Sequence, residues 1–239
     1  TSPAPGRLLY RQQAWGDVSY EIGLQWEQPH TGVLEGGYYV TSKGTWYSGD
    51  TGRADHLNIS FDEALASHQN WWEQYWKQSS VSLPDTLLER QWYLEMYKFA
   101  AASRKNAPPI CLQAIWTADN GQTPPWRGDF HSDLNTQLSY WAGYTANHLE
   151  ESAVFTDWLW RIKENSEQFT RQFFQVEGLN VPCIATLTGQ PIGGWNPARW
   201  SLPGRMAVLS FLPTMEVWHG LTIPERTGLS LGERGGTFL

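Results

Sequence analysis

The apolar residues of this chain change their period near residue 60, and that change limits what the chain can fold into. Before it, residues 7–45 alternate polar and apolar, as in L-L-Y-R-Q-Q-A-W, V-S-Y-E-I-G-L-Q-W and G-Y-Y-V-T-S. A period of two places alternate side chains on one face of a pleated strand, and Gly-containing breaks separate the runs, so they predict about three antiparallel strands. Three strands are too few to close a sandwich, so residues 1–55 read as the end of a larger β domain plus a linker. Gly49, Asp50, Gly52 and Asp55 give that linker its turn-rich character.

From residue 60 the period is helical. Ser60 with Glu63 three residues later forms a capping box, in which each side chain satisfies a backbone N–H of the other, and a helix follows over about 61–79. Asp85 caps a second helix running to about Arg104, with Leu88, Trp92, Met96 and Phe99 near helical spacing. Pro108 and Pro109 close that region, and a loop follows over about 110–130. A structureless loop of that length is unusual in a compact domain and is often functional. Further helices are predicted over about 132–147 and 150–175, the first burying Leu138, Trp141 and Tyr144, the second Phe155, Leu159, Ile162, Phe169 and Phe173. After Asn196 neither period persists.

Composition narrows the functions. The chain of 239 residues can hold one large domain or parts of two. Its net charge of -7 is the wrong sign for a nucleic-acid surface, and no apolar run approaches a membrane span. Two cysteines, Cys111 and Cys183, make no framework and read as free thiols. The chain contains no nucleotide loop, no H-E-x-x-H pattern and no G-x-S-x-G elbow, and His131 stands far from other His or Cys, so neither a cofactor nor a metal is expected. The first residue, Thr1, is not an initiator Met, so the lack of a visible leader leaves the compartment open. Fifteen tryptophans suit either a large helical core or carbohydrate platforms. Trp71, Trp72, Trp76 and Trp92, at helical spacing, read as core, whereas Trp116 and Trp126, on the loop, are candidate platforms.

Chemistry concentrates in Trp126–Trp141, W-R-G-D-F-H-S-D-L-N-T-Q-L-S-Y-W. His131, Asp133, Asn135 and Gln137 cannot share one helical face, since helical neighbours lie three or four apart. They are expected at the entrance of a helix. Flat aromatic faces beside acids and amides are what a sugar requires, the faces for the ring and the polar groups for its hydroxyls. A polar cap ahead of a buried helix is the alternative, with His131 a satisfied structural histidine. Glycoside hydrolysis needs an acid to protonate the leaving oxygen and a base or nucleophile opposite it; Asp129, Asp133, Glu150 and Glu151 are the carboxylates available, and spacing does not choose among them.

Six motifs occurring in order decide the matter further: H-Q-N-W-W-E-Q-Y-W, L-P-D-T-L-L-E-R-Q-W-Y, A-S-R, L-Q-A-I-W, P-P-W-R-G-D-F-H-S-D-L-N-T-Q-L-S-Y-W and N-H-L-E-E. Together they resemble the catalytic domain of glycoside hydrolase family 95, the inverting α-L-fucosidases, over about residues 67–196. The resemblance implies a mainly α fold, part of an (α/α)6 barrel of the six-hairpin type over 56–196, preceded by the last strands of an N-terminal β-sandwich. It implies an oligosaccharide or glycan as substrate and a periplasmic or secreted setting. In that family an Asn-x-Asn motif orients the hydrolytic water, helped by a distant aspartate. The matching positions are Asp133 and Asn135, which the resemblance makes catalytic; Trp116, Trp126, His131 and Gln137 are expected to bind substrate. Asp133 departs from the family pattern, and a carboxylate, unlike an amide, can accept a proton as a general base. Related sugars such as α-L-galactosides therefore stay open beside α-L-fucosides. The family's general acid, a Glu, lies beyond the matched region, so this chain is expected to be inactive alone.

Residues 197–239 do not continue the resemblance. Shifted by one nucleotide, their possible codons allow aromatic, amphipathic text such as F-Y-L-Q-W-K-Y-G-M-D. Met206-Ala207 and Met215-Glu216 must then each yield Trp, and Trp218-His219 must yield Gly. We therefore read 197–239 as an out-of-frame tail without a packed core. The sequence supports three functional readings: an inverting glycosidase fragment, a non-catalytic carbohydrate-binding or structural remnant, and a sugar phosphorylase of the same barrel class.

Overall fold

The computed structural model describes residues 6–14, 16–44, 59–105, 107–116, 122, 125–132 and 134–192. Asp133 and residues 197–239 lie outside the described residues. The chain divides into two compact units, Thr1–Gln78 and Ser79–Leu239.

The first unit opens with three strands, β1 (Gly6–Gln13), β2 (Ser19–His30) and β3 (Val33–Lys43), paired antiparallel in the order β1-β2-β3. Leu8 faces Leu24, which faces Tyr38, so one register runs through all three strands. That register shifts between Glu27 and His30, where Pro29 has no N–H to give the ladder. Tyr39 is buried over Gly23, whose added Cβ would meet the tyrosine ring at 2.0 Å. The Tyr39 hydroxyl donates to Glu21, which also pairs with Arg11 across the sheet; these two bonds hold the Glu21 carboxyl below its ordinary range, the Tyr39 bond contributing most. Helix α1 (Phe61–Gln78) follows. Its capping box forms as the sequence predicts: the Ser60 hydroxyl accepts from Glu63 N at 3.3 Å, and Glu63 Oε2 accepts from Ser60 N at 3.0 Å. One turn apart, Trp71 stacks on Tyr75 at 5.3 Å and Trp72 on Trp76 at 5.8 Å. Tyr75 is buried and the three tryptophans half-buried, the disposition of packing residues.

The second unit holds four helices among the described residues: α2 (Thr86–Ala102), α3 (Asn135–Thr145), α4 (Leu149–Arg161) and α5 (Lys163–Phe174). Asp85 caps α2 by accepting from the backbone of Leu87 and Leu88. A two-stranded ribbon, β4 (Phe130–His131) with β5 (Ile184–Ala185), completes the unit. A chain of buried rings joins these elements. Phe99 of α2 meets Tyr140 of α3 edge-on, Tyr140 stacks on Phe155 of α4, Phe155 on Trp158, and Trp158 packs at 5.0 Å against Phe130 of β4. The Tyr140 hydroxyl accepts from Ile110 N at 2.8 Å, which anchors the 110–130 loop to α3. Gly143 lets the helices approach: a Cβ there would meet Ser152 Oγ at 2.4 Å and the Phe99 ring at 2.5 Å.

Three expectations are corrected. The helix expected over 150–175 breaks at Ile162, with no proline or glycine in the chain at the break itself. Ile162 is fully buried, and Gly189, at φ +77, packs so closely that its Cβ would lie 2.7 Å from Ile162 Cβ. The same 186–189 turn accepts bonds from Trp158 Nε1 and Asn165 Nδ2, so tertiary packing sets the break. Helix α3 starts at 135 rather than 132, because Phe130 and His131 pair as a strand with 185 and 184 and Ser132 N donates to Cys183 O. That start turns Thr136, Gln137, Tyr140 and Gly143 inward. Leu138 and Trp141, expected in the core, are instead 42% and 47% exposed. Phe173 is likewise exposed, whereas Phe155 and Ile162 are buried as expected; on α2, Leu88 is exposed and Met96 and Phe99 are buried.

Candidate active site at the entrance to α3

The segment leading into α3 is held mainly by its backbone. Residues Pro125–Gly128 form a 3-10 turn in which Trp126 (φ 62) and Gly128 (φ 76) both take the left-handed conformation. Glycine adopts it freely; a bulky side chain does not, so Trp126 carries local strain, a condition that gathers at functional sites. The turn closes through Asp129 N donating to Trp126 O at 3.1 Å, and Leu112 N donates to Asp129 O. Phe130 then goes into the core, and the ribbon with β5 fixes the strand. Gln137, 1% exposed, reaches back from α3 and donates through Nε2 to Ser132 O at 2.7 Å.

On this frame three side chains converge. Asp129 Oδ1 lies 3.2 Å from His131 Nε2, the two side chains 13% and 11% exposed. The Trp126 indole meets the His131 ring edge to face, with centroids 5.5 Å apart and planes at 82°. Trp126 is 47% exposed, so part of its surface faces solvent beside a nearly buried polar pair. Asn135, exposed, is the first residue of α3, four positions past His131, and its backbone oxygen accepts from Ser139 Oγ.

Of the residues singled out in the sequence, the structure thus joins Trp126, His131 and Asp129 and sets Asn135 at the neighbouring helix mouth. Trp116 is half exposed, and no ring contact or hydrogen bond joins it to this group among the described residues. Gln137 supports the Ser132 turn from the interior.

Glu150 and Glu151 belong to the opposite end of α3. An eleven-residue helix is about 16 Å long at 1.5 Å per residue, whereas the two carboxyl groups of an inverting glycosidase stand about 6.5–9.5 Å apart. Glu150 is exposed, with Lys105 Nζ at 3.8 Å. Glu151 is buried; desolvation raises its carboxyl above the ordinary range, the Glu150 charge adds to the rise and Arg104 opposes it. His148, fully buried nearby, is pushed down by desolvation and favours its neutral form. No spacing in N-H-L-E-E distinguished the buried glutamate from the exposed one; the contact that encloses it, Ser103 Oγ donating to Glu151 O at 2.8 Å, joins residues 48 apart. Among the described residues no three His, Cys, Asp or Glu side chains gather as a metal site, and no helix is long and apolar enough to cross a membrane.

Comparison with known proteins bears on this geometry. Residues 53–211 match the family described as Glycosyl hydrolase family 95 catalytic domain. The match contains the whole Trp126–Asn135 segment and runs past residue 196, the end of the six-motif resemblance. A stretch of 46 residues is 39% identical to the Probable alpha-fucosidase A of Aspergillus niger, covering 19% of this chain and 6% of that protein.

Proposed function

The chain belongs to glycoside hydrolase family 95, and from that premise we propose that it is part of a catalytic domain that hydrolyses terminal α-L-fucosides or related glycosides with inversion. The single observation that carries this reading is the convergence at the mouth of α3, where Trp126, half exposed, abuts His131 and Asn135 opens the helix. Trp126 offers a flat face to the sugar ring, and His131 and Asn135 offer hydrogen bonds to hydroxyls. Asp133 accepts a proton from water as the water oxygen attacks the anomeric carbon, with the Asn135 amide orienting that water. A carboxylic acid from outside these 239 residues protonates the leaving glycosidic oxygen, so the chain alone turns over no substrate.

On the same reading α1–α5 are the first helices of an (α/α)6 barrel over 56–196, residues 1–55 end a β-sandwich, and 197–239 are out of frame. The family match into 197–211 counts against the last point for those residues.

The test is a pair of chains, the present one and one continued in the shifted frame, incubated with an aryl α-L-fucoside with and without phosphate. The reading expects no fucose from the first. From the second it expects β-L-fucose as the initial anomer, independent of phosphate. Release of the α-anomer first, or of a sugar phosphate, overturns it. In the continued chain Asp133→Asn should lower turnover by about 10²–10⁴-fold, the usual scale for a general base; full activity with an unchanged pH profile excludes that role for Asp133.

A further inference from the structure

His131 is nearly buried beside a carboxylate that no backbone duty explains. Asp129 holds its turn through main-chain atoms, its N–H donating to Trp126 O and its C=O accepting from Leu112 N. The carboxylate side chain is free of that task. Its Oδ1 lies 3.2 Å from His131 Nε2, close enough to pair but not aligned as a hydrogen bond, and neither atom has a hydrogen-bond partner among the described residues. A buried acceptor and a buried ring nitrogen are each costly when unpartnered, so each is the other's natural partner. Trp126 packs on the same imidazole, which limits how far the ring can swing.

We propose that Asp129 is a positioning residue: it accepts a hydrogen bond from His131 Nε2–H, fixes the imidazole in that tautomer, and leaves Nδ1 as an acceptor for a hydroxyl proton of the bound sugar. In a neutral imidazole one nitrogen carries the proton and the other a lone pair, and the partner of the first decides the role of the second. The pair makes His131 a reader of a hydroxyl as donor. A site of that kind discriminates against a sugar whose hydroxyl at that position is removed or methylated. The sugar-facing part rests on the proposed function; the Asp129–His131 contact does not.

The experiment uses the full 239-residue chain labelled with ¹⁵N, its imidazole resonances recorded near neutral pH, and His131 assigned by loss of its signals in His131→Asn. The proposal expects Nε2 protonated, Nδ1 bare, and the Nε2–H proton shielded from exchange with water. Asp129→Ala should abolish that shielding, while Asp129→Asn, which keeps an acceptor oxygen, should restore it. A wild-type ring protonated on Nδ1 overturns the proposal, as does an Asp129→Ala spectrum identical to wild type. Should Asp129→Ala fail to fold, the wild-type tautomer alone decides. Added L-fucose should shift the His131 signals, with binding weakened about tenfold in Asp129→Ala, the equivalent of one hydrogen bond. If the tautomer is as stated and L-fucose shifts nothing, the contact stands while the sugar-facing role and the functional reading both fall.

Discussion

The two ends of α3 are built on opposite principles. At its C-terminal end Gly143 admits Ser152 and Phe99 to a separation no side chain would permit, and Tyr140 is buried among Phe99, Phe155 and the loop amide of Ile110. At its N-terminal end the chain is held by backbone bonds and by Gln137 from the interior, while Trp126 and Asn135 remain exposed. Side-chain packing at one end fixes the helix; the other end keeps its side chains available. A site can carry a strained Trp126 and an incompletely enclosed polar pair because the ring chain a few turns away holds the frame.

Substitutions at the packed end should have the largest effects on stability. Phe155→Ala removes a ring between Tyr140 and Trp158 and leaves a cavity in the centre of the unit. A loss of about 3–5 kcal/mol is expected in urea unfolding; a loss below about 1 kcal/mol would mean the rings are not a shared core. Gly143→Ala adds a methyl group where there is no room and should cost about 1–3 kcal/mol. Gln137→Ala leaves the Ser132 carbonyl without its α3 partner, costing about 1–3 kcal/mol and loosening the entrance, which hydrogen exchange over 130–135 would report. Trp126→Ala should leave stability within about 0.5 kcal/mol of wild type, as expected of a half-exposed residue, while removing L-fucose binding. A stability loss as large as that of Phe155→Ala would erase the distinction between the ends.

The pH dependence sharpens the contrast. Burial raises the Glu151 carboxyl, so the folded state binds its proton more readily than the unfolded chain does. Its stabilising effect is complete below the unfolded carboxylate value of about 4.3 and is lost as pH rises through the higher folded value. Glu151→Gln should therefore match wild type at low pH and exceed it at neutral pH. Urea midpoints at the two pH values check this; a deficit of the variant at neutral pH contradicts it. Burial lowers the His148 value, so its stabilisation is present above about 6.5 and is lost as pH falls through the lower folded value.

Features set by near neighbours in the chain were legible from sequence. The Ser60–Glu63 box and the Asp85 cap need only residues three or so apart, and both form. The three strands follow from alternation and glycine-marked turns. Features set by distant partners were not. The break at Ile162 comes from Gly189, and the late start of α3 from pairing of 130–131 with 184–185. The exposure of Leu138 and Trp141 follows from that altered start. The Asp129–His131 pair lies between these cases. Both residues stood out singly, and in an extended segment residues two apart share a face, so D-F-H with its phenylalanine directed to the core already contained the pairing.

The central claim, that the mouth of α3 is where a sugar is held, is tested most directly by titrating the isotopically labelled chain with L-fucose and following its fifteen indole N–H signals together with the His131 ring. The account expects saturable shifts at Trp126 and His131, with Trp71, Trp72 and Trp76 of α1 unmoved. Shifts confined to the α1 tryptophans, or saturable shifts nowhere, would contradict it.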